Sequence, residues 1–226
     1  MGLSEPKGKR VDNNIRLICF AVKEEAAPFL KYAKDNPGIS VLVTGMGRKN
    51  SERAILQSLP RILPSLVLTC GFAGALNPKL KIGDVVFDAD VESRITGSLQ
   101  EADATPAKFH CAPRVATTVA EKTALRKSTG ADVVEMESGV IREICQQKKI
   151  PSATIRAISD AAFHDLPLDF NALMTANDAI SFPKLALALM KSPGKIPQLI
   201  QLQRNTSLAA QKLALVLERL LSGRSR

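Results

Sequence analysis

Short, mostly apolar runs, each followed by a stretch with helical periodicity, constrain this chain more than any other feature. "IRLICFAV" (15–22) leads into "KEEAAPFLKYAK", and "ISVLVTGM" (39–46) into a helix over about 49–59. "SLVLTCGFAGAL" (65–76) ends in a Gly/Ala-rich turn, and "IGDVVF" (82–87) is a fourth strand. "ADVVEM" and "SATIRAIS" are two more, separated by a helix with Val140, Ile141, Ile144 and Cys145 on one face. Helices are expected over about 171–191 and 207–221, where apolar residues recur at 3.6-residue spacing. Strands without a polar face must be covered on both sides, so the pattern predicts a layered α/β fold with a largely parallel sheet. Residues 94–114 have no clear period and read as loop. The segment 1–14 reads as a polar extension, and 15–226 as a single domain.

Composition narrows the class. With 45% hydrophobic and 23% charged residues the chain is globular rather than disordered. It has no apolar run of the roughly 18–20 residues a membrane span needs. The start, "MGLSEPKGKRVDNN", lacks the apolar middle of a secretory signal. Cys19, Cys70, Cys111 and Cys145 are too scattered for a metal pair and are expected as buried free thiols of a cytoplasmic protein. The net charge of +9 comes mostly from Lys184 to Arg226, which holds eight basic residues against Glu218. Aromatics are only 4%, so the basic residues read as a solvated surface and not as a nucleic-acid face. Contact of the basic C-terminal helix with an anionic membrane surface is the minor alternative.

In open α/β sheets ligands collect at the carboxyl ends of the strands. Here those ends carry Glu25, Gly45–Gly47, Gly71–Gly74, Glu135–Glu137 and Ser159–Asp160. Glycines at strand exits let backbone N–H groups approach a ligand, although the spacing fits neither a dinucleotide nor a P-loop motif. Each acid also has a structural reading. Glu24, Glu25, Glu135 and Glu137 suit a helix N-terminus, and Asp160 suits a helix N-cap. Alternatively, a carboxyl at a strand end in a partly desolvated cleft can hold a proton and give it to a leaving group. His110 and His164 are too isolated for a metal site or a nucleophilic triad and read as surface or capping residues.

Together these stretches resemble the purine nucleoside phosphorylase/nucleosidase superfamily, closest to the methylthioadenosine/adenosylhomocysteine nucleosidases. The resemblance runs through "ICFAVKEEAAPF", "VLVTGMGRKNSERA", "LVLTCGFAGALNPKLKIGDVV" and "ADVVEMESGVIREICQQKKIPSATIRAISDAA". It implies a three-layer α/β/α sandwich whose central mixed sheet is partly barrel-like. It also implies cleavage of the N-glycosidic bond of a purine nucleoside, with no cofactor and no metal. By the resemblance Asp160 protonates the leaving purine, with Ser159 orienting it and Gly71 and Ala73 on the base side. Glu137 takes the ribose hydroxyls over Met136, and Glu25 activates water. Gly47, Arg48, Phe72 and Arg156 fall at the nucleophile or phosphate pocket.

Three departures keep alternatives open. Phe72 replaces the hydroxyl residue usual in the third-strand turn. The region between Phe87 and Ala131 is short, "PRVATTVAEKTALRK" standing where a purine-stacking segment is expected. The C-terminal segment resembles a hopanoid-associated phosphorylase-like subgroup, which implies a bulky apolar 5′ substituent. Hydrolysis is the favoured reading, since Glu25 repels phosphate. Phosphorolysis with phosphate as second substrate, and a non-catalytic nucleoside-binding homologue, are the alternatives. A homodimer is implied by the same resemblance.

Overall fold

Alternate residues of the first strand serve two cores. In the computed structural model, which describes residues 15–175 and 181–223, β1 (Arg16–Phe20) points Ile18 and Phe20 to one face and Leu17 and Cys19 to the other. On the first face lie α1 (Lys23–Lys34), α3 (Thr96–Glu101) and the long α8 (Ile196–Ser222), whose Ala209, Leu213 and Leu217 are buried against Phe29, Leu68 and Ile155. On the second lie α2 (Arg48–Ile62) and α5 (Ser138–Gln147), which bring Ile55, Leu59, Ile141 and Ile144 onto Leu17 and Val67. Period-two burial on a strand covered from both sides requires this three-layer α/β/α arrangement.

The sheet is mixed. Its main path runs β2 (Ile39–Val43), β1, β3 (Leu66–Ala75), β8 (Ser152–Asp160), β4 (Val85–Ala89), β5 (Ala104–Pro106). β1 pairs in parallel with β2 and β3, and β3 with β8, whereas β4 is antiparallel to β8. β6 (Phe109–Cys111) and β7 (Val133–Glu135) branch off, β7 joining β3 at Gly74 and Ala75. The sheet does not close into a barrel.

One consequence of this register shapes the site. β8 occupies one edge of β3 from Val67 to Gly74, while β1 takes the other edge only as far as Cys70 and β7 only from Gly74. Residues 71–73 therefore have an unpaired edge, a slot in the sheet between the end of β1 and the start of β7.

Several expectations are revised. Residues 94–114 are not plain loop but hold α3, β5 and β6. The helix expected over 171–191 is two pieces, α6 (Phe170–Leu173) and α7 (Phe182–Lys191), with Met174 extended between them and residues 176–180 outside the described set. α8 begins at Ile196 and not at 207, with Pro197 in its first turn, where proline costs no hydrogen bond. Cys19, Cys70 and Cys145 are buried free thiols, but Cys111 is exposed. The polar segment 1–14 lies outside the described residues. No helix among the described residues is long and apolar enough to cross a membrane.

Candidate active site

Glu25 enters the slot from the first turn of α1. One carboxylate oxygen, Oε2, accepts from the Ala21 and Val22 backbone N–H groups at 2.9 and 3.2 Å, as a helix-starting acid does. The other, Oε1, accepts from Phe72 N at 2.9 Å, a donor left over by the gap in the β3 ladder. The capping and the functional readings of Glu25 thus apply to different oxygens of one carboxyl. Burial pushes Glu25 up to about 7; the Arg156 guanidinium and the backbone donors act against the shift and the neighbouring Glu137 adds to it.

Gly71 makes the approach sterically feasible. Its φ is +149°, and an added Cβ would sit 2.4 Å from Arg156 Nη1 and 2.6 Å from Glu25 Oε1. At the far end of the slot a Cβ on Gly74 would come within 3.0 Å of Asp160 Oδ2. The strand exit is a bare backbone rail along which three charged side chains lie.

Glu135 and Glu137 have separate tasks. Glu135 accepts from Arg156 Nη2 at 2.6 Å, from Ser138 Oγ at 2.7 Å, and from the backbone N–H groups of Ser138 and Glu137 at 2.8 and 3.0 Å. Burial pushes its carboxyl up, but Arg156 and these donors outweigh that and hold it below the usual range. Glu137, two residues on, turns toward the cavity. Its Oε1 accepts from Gly47 N at 3.0 Å, and its Oε2 lies 3.6 Å from Arg156 Nη2. For Glu137 burial wins, aided by Glu135 and opposed by Arg156, and its carboxyl is raised.

Asp160 ends β8. No helix follows it, so it is not an N-cap. Its Oδ1 accepts from Ser159 Oγ at 2.9 Å, while its Oδ2 is 2.6 Å from the ammonium of Lys122. Lys122 belongs to α4 (Val119–Thr129) and is fully buried; its other hydrogen bonds go to the carbonyls of Ala161 and His164, at 2.8 and 3.0 Å. In "VAEKTALRK" a lysine reads as solvated surface. The available signal is that Lys122 shares the inward i, i+3 face of α4 with Val119 and Leu125.

A cavity of about 230 Å³ opens over these groups. Glu25, Phe72, Ala73, Met136, Glu137, Ser159 and Asp160 line it, so the acids from α1, from the β7–α5 junction and from β8 share one hollow. Arg114, Val115 and Ala116 close another side. They belong to the segment expected in place of a base-stacking loop, and Asn171 of α6 pins it by accepting from Val115 N and donating to Val115 O, each at 2.9 Å. Sequence reasoning did not single out Lys122, Arg114 or Asn171.

Two arginines are not where they were expected. Arg48 starts α2 and turns outward to Glu143 of α5 at 3.1 Å, with both side chains more than half exposed. Arg156 lies under the cavity floor and does not line it, its charge being spent on Glu135. Three buried carboxylates surround it, and they raise its already high affinity for its proton despite burial. His164 is exposed and His110 half-buried, both outside the cavity lining. A larger groove of about 680 Å³ elsewhere is lined by Asp88, Asp90 and Arg142, but its arginine is already bound to both aspartates. Among the described residues no group of three or more His, Cys, Asp or Glu side chains is arranged to hold a metal.

Comparison with known proteins agrees with this architecture. The family described as the Phosphorylase superfamily matches residues 19–93 and 104–189. A 5′-methylthioadenosine/S-adenosylhomocysteine nucleosidase of Shewanella halifaxensis is 25% identical over 175 residues, covering 59% of this chain and 74% of that protein. The futalosine hydrolase of Helicobacter pylori superposes with a TM-score of 0.68 at 16% identity, over 93% of this chain and 99% of the other. The corresponding nucleosidase of Neisseria meningitidis, in complex with methylthio-immucillin-A, also gives 0.68, at 17% identity over 93% and 100%.

Proposed function

The chain belongs to the phosphorylase superfamily, and from that premise we propose that it hydrolyses the N-glycosidic bond of an adenine nucleoside. The observation that carries the proposal is the convergence of Glu25, Glu137 and Asp160 on one cavity, with each acid held by donors that fix its direction.

Breaking the bond between C1′ and the base leaves positive charge on the ribose. Carboxylates beside the sugar stabilise that charge more in the transition state than in the substrate. Glu137 takes the ribose hydroxyls, its oxygens retaining acceptor capacity beyond the Gly47 bond, while half-buried Met136 packs under the sugar. Glu25 is the base for water. The water oxygen bonds to C1′, its proton passes to Glu25, and the electron pair of the broken bond leaves with the base. The base gains a proton from solvent on the side that faces Asp160, and Glu25 returns the proton of the water to solvent, so that one water is consumed and no net charge is left. Proton transfer of this kind contributes typically 10²–10⁴-fold. Because Glu25 titrates near 7, a useful fraction is ionised at neutral pH and yet basic enough to take a proton from water.

Water is preferred over phosphate on electrostatic grounds. A dianion entering beside Glu25 and Glu137 meets repulsion of about 4 kcal/mol per unit charge at 4 Å and an effective dielectric of 20. Neither Arg48, paired at the surface, nor Arg156, paired under the floor, is free to offset it. A panel of adenosine, inosine, methylthioadenosine and adenosylhomocysteine, each with and without phosphate, tests the reading. Phosphate-independent base release from the adenine nucleosides is expected, with Asp160→Asn losing most turnover while still binding ligand. Strict phosphate dependence, or no release from any of them, defeats it.

A further inference from the structure

Asp160 does not face the cavity alone. We propose that Lys122 is a positioning residue for the base pocket: it holds Asp160 as an ionised hydrogen-bond acceptor and so decides which base edge the pocket admits. The inference rests on the adenine-nucleoside reading above and deepens it.

The geometry is complete on the lysine side. An ammonium has three N–H donors, and those of Lys122 meet Asp160 Oδ2, Ala161 O and His164 O at 2.6, 2.8 and 3.0 Å. Its side chain is 1% exposed and that of Asp160 14%, so water does not compete for the pair from the lysine side. A buried ammonium needs a counter-charge, because burying a charge without one is prohibitive. The two carbonyls orient Lys122 but leave its charge uncompensated; Asp160 supplies the compensation. Since Ala161 and His164 lie in the turn directly after Asp160, Lys122 also fixes the backbone that carries the carboxylate.

An ionised carboxylate can only accept. Ser159 Oγ already donates to Oδ1 at 2.9 Å, and the carboxylate lines the cavity with lone pairs left over. A 6-aminopurine brings an N–H donor beside its N7 and satisfies them. A 6-oxopurine brings two acceptors, O6 and N7, and is repelled. The proton that the departing base takes ends as an N–H bond on the ring nitrogen that faces Asp160 while the C1′–N bond breaks.

The test is kcat/KM for adenosine and for inosine, measured in parallel on wild type, Lys122→Met and Lys122→Arg. Wild type should favour adenosine by about 10- to 100-fold, the worth of one hydrogen bond to a charged group. Lys122→Met, which keeps length and loses charge, should bring the ratio within a few-fold of one, and Lys122→Arg should retain the preference. A proportional loss for both nucleosides, with the ratio intact, would make Lys122 merely structural and overturn the proposal. So would a wild type that treats the two nucleosides alike, which needs no variant to fold. If Lys122→Met does not fold, Asp160→Asn, which offers a donor as well as an acceptor, must narrow the ratio instead; an unchanged ratio overturns the idea. Absence of base release from every nucleoside would defeat the hydrolase reading and not this one. Calorimetric binding of adenine against hypoxanthine to wild type then decides, equal affinities overturning the proposal.

Discussion

Replacing Glu25 by glutamine should remove the loss of stability that its buried carboxyl imposes as the pH rises. In the folded chain burial, with Glu137 adding and Arg156 opposing, moves the Glu25 carboxyl from its usual 4.5 to about 7. Below pH 4.5 both the folded and the unfolded chain hold the proton. Between about 4.5 and 7 the unfolded chain releases it while the folded chain keeps it, so raising the pH favours unfolding. Each pH unit in that window costs about 1.4 kcal/mol, or about 3 kcal/mol across it, and the loss levels off above the folded value. Glutamine cannot titrate. Its amide turns an N–H toward one of the backbone donors at Ala21, Val22 or Phe72, a fixed penalty of about 1–3 kcal/mol that does not change with pH. Urea unfolding of wild type and Glu25→Gln at pH 4.5, 6 and 8 therefore reads the change in their difference, not its size at one pH. The variant should gain about 3 kcal/mol on wild type over the series. Wild-type kcat/KM should rise with pH through about 7, as a general base requires, while wild-type stability falls. A difference constant within about 0.5 kcal/mol would refute the buried-acid reasoning.

Three further substitutions probe the framework of the site. Gly71→Ala forces a Cβ to within 2.4 Å of Arg156 and 2.6 Å of Glu25 at a φ of +149°; a loss of about 3 kcal/mol or more in urea unfolding is expected, with base release abolished. Glu135→Gln leaves the buried Arg156 charge without its main partner and should cost about 3–5 kcal/mol, seen as a lower urea midpoint at unchanged slope. Arg48→Ala removes only an exposed pair with Glu143 and should change stability by no more than about 0.5 kcal/mol and leave base release intact; a large loss of turnover would return Arg48 to the nucleophile pocket.

What could be read from the sequence follows from how local each signal is. "IRLICF" has apolar residues on both strand faces, and that alone requires cover from two helical layers, as Ile18 and Leu17 find. The short strands β5 and β6 were missed because three-residue elements have no measurable period; they exist through pairing with β4 and β7, distant in the chain. The first half of α8 was missed for another reason. Ile196 and Ile200 are exposed there, so no buried stripe marks the helix. At the site, strand ends predicted which acids would gather. Which cation each would meet depends on the tertiary path. Arg48 follows a glycine turn but starts a helix whose first turn faces α5, and Arg156 is drawn to Glu135 under the floor. Lys122 looked like a surface residue because its partners come from β8 and the turn after it, about 40 residues away in sequence.

The central claim, that water and not phosphate attacks the sugar beside Glu25, is tested most directly by isotope. Adenosine is turned over in ¹⁸O-water with phosphate present, and the released sugar is weighed by mass spectrometry. The account predicts free ribose carrying ¹⁸O at the anomeric carbon, with no sugar phosphate; ribose 1-phosphate as the first product would contradict it.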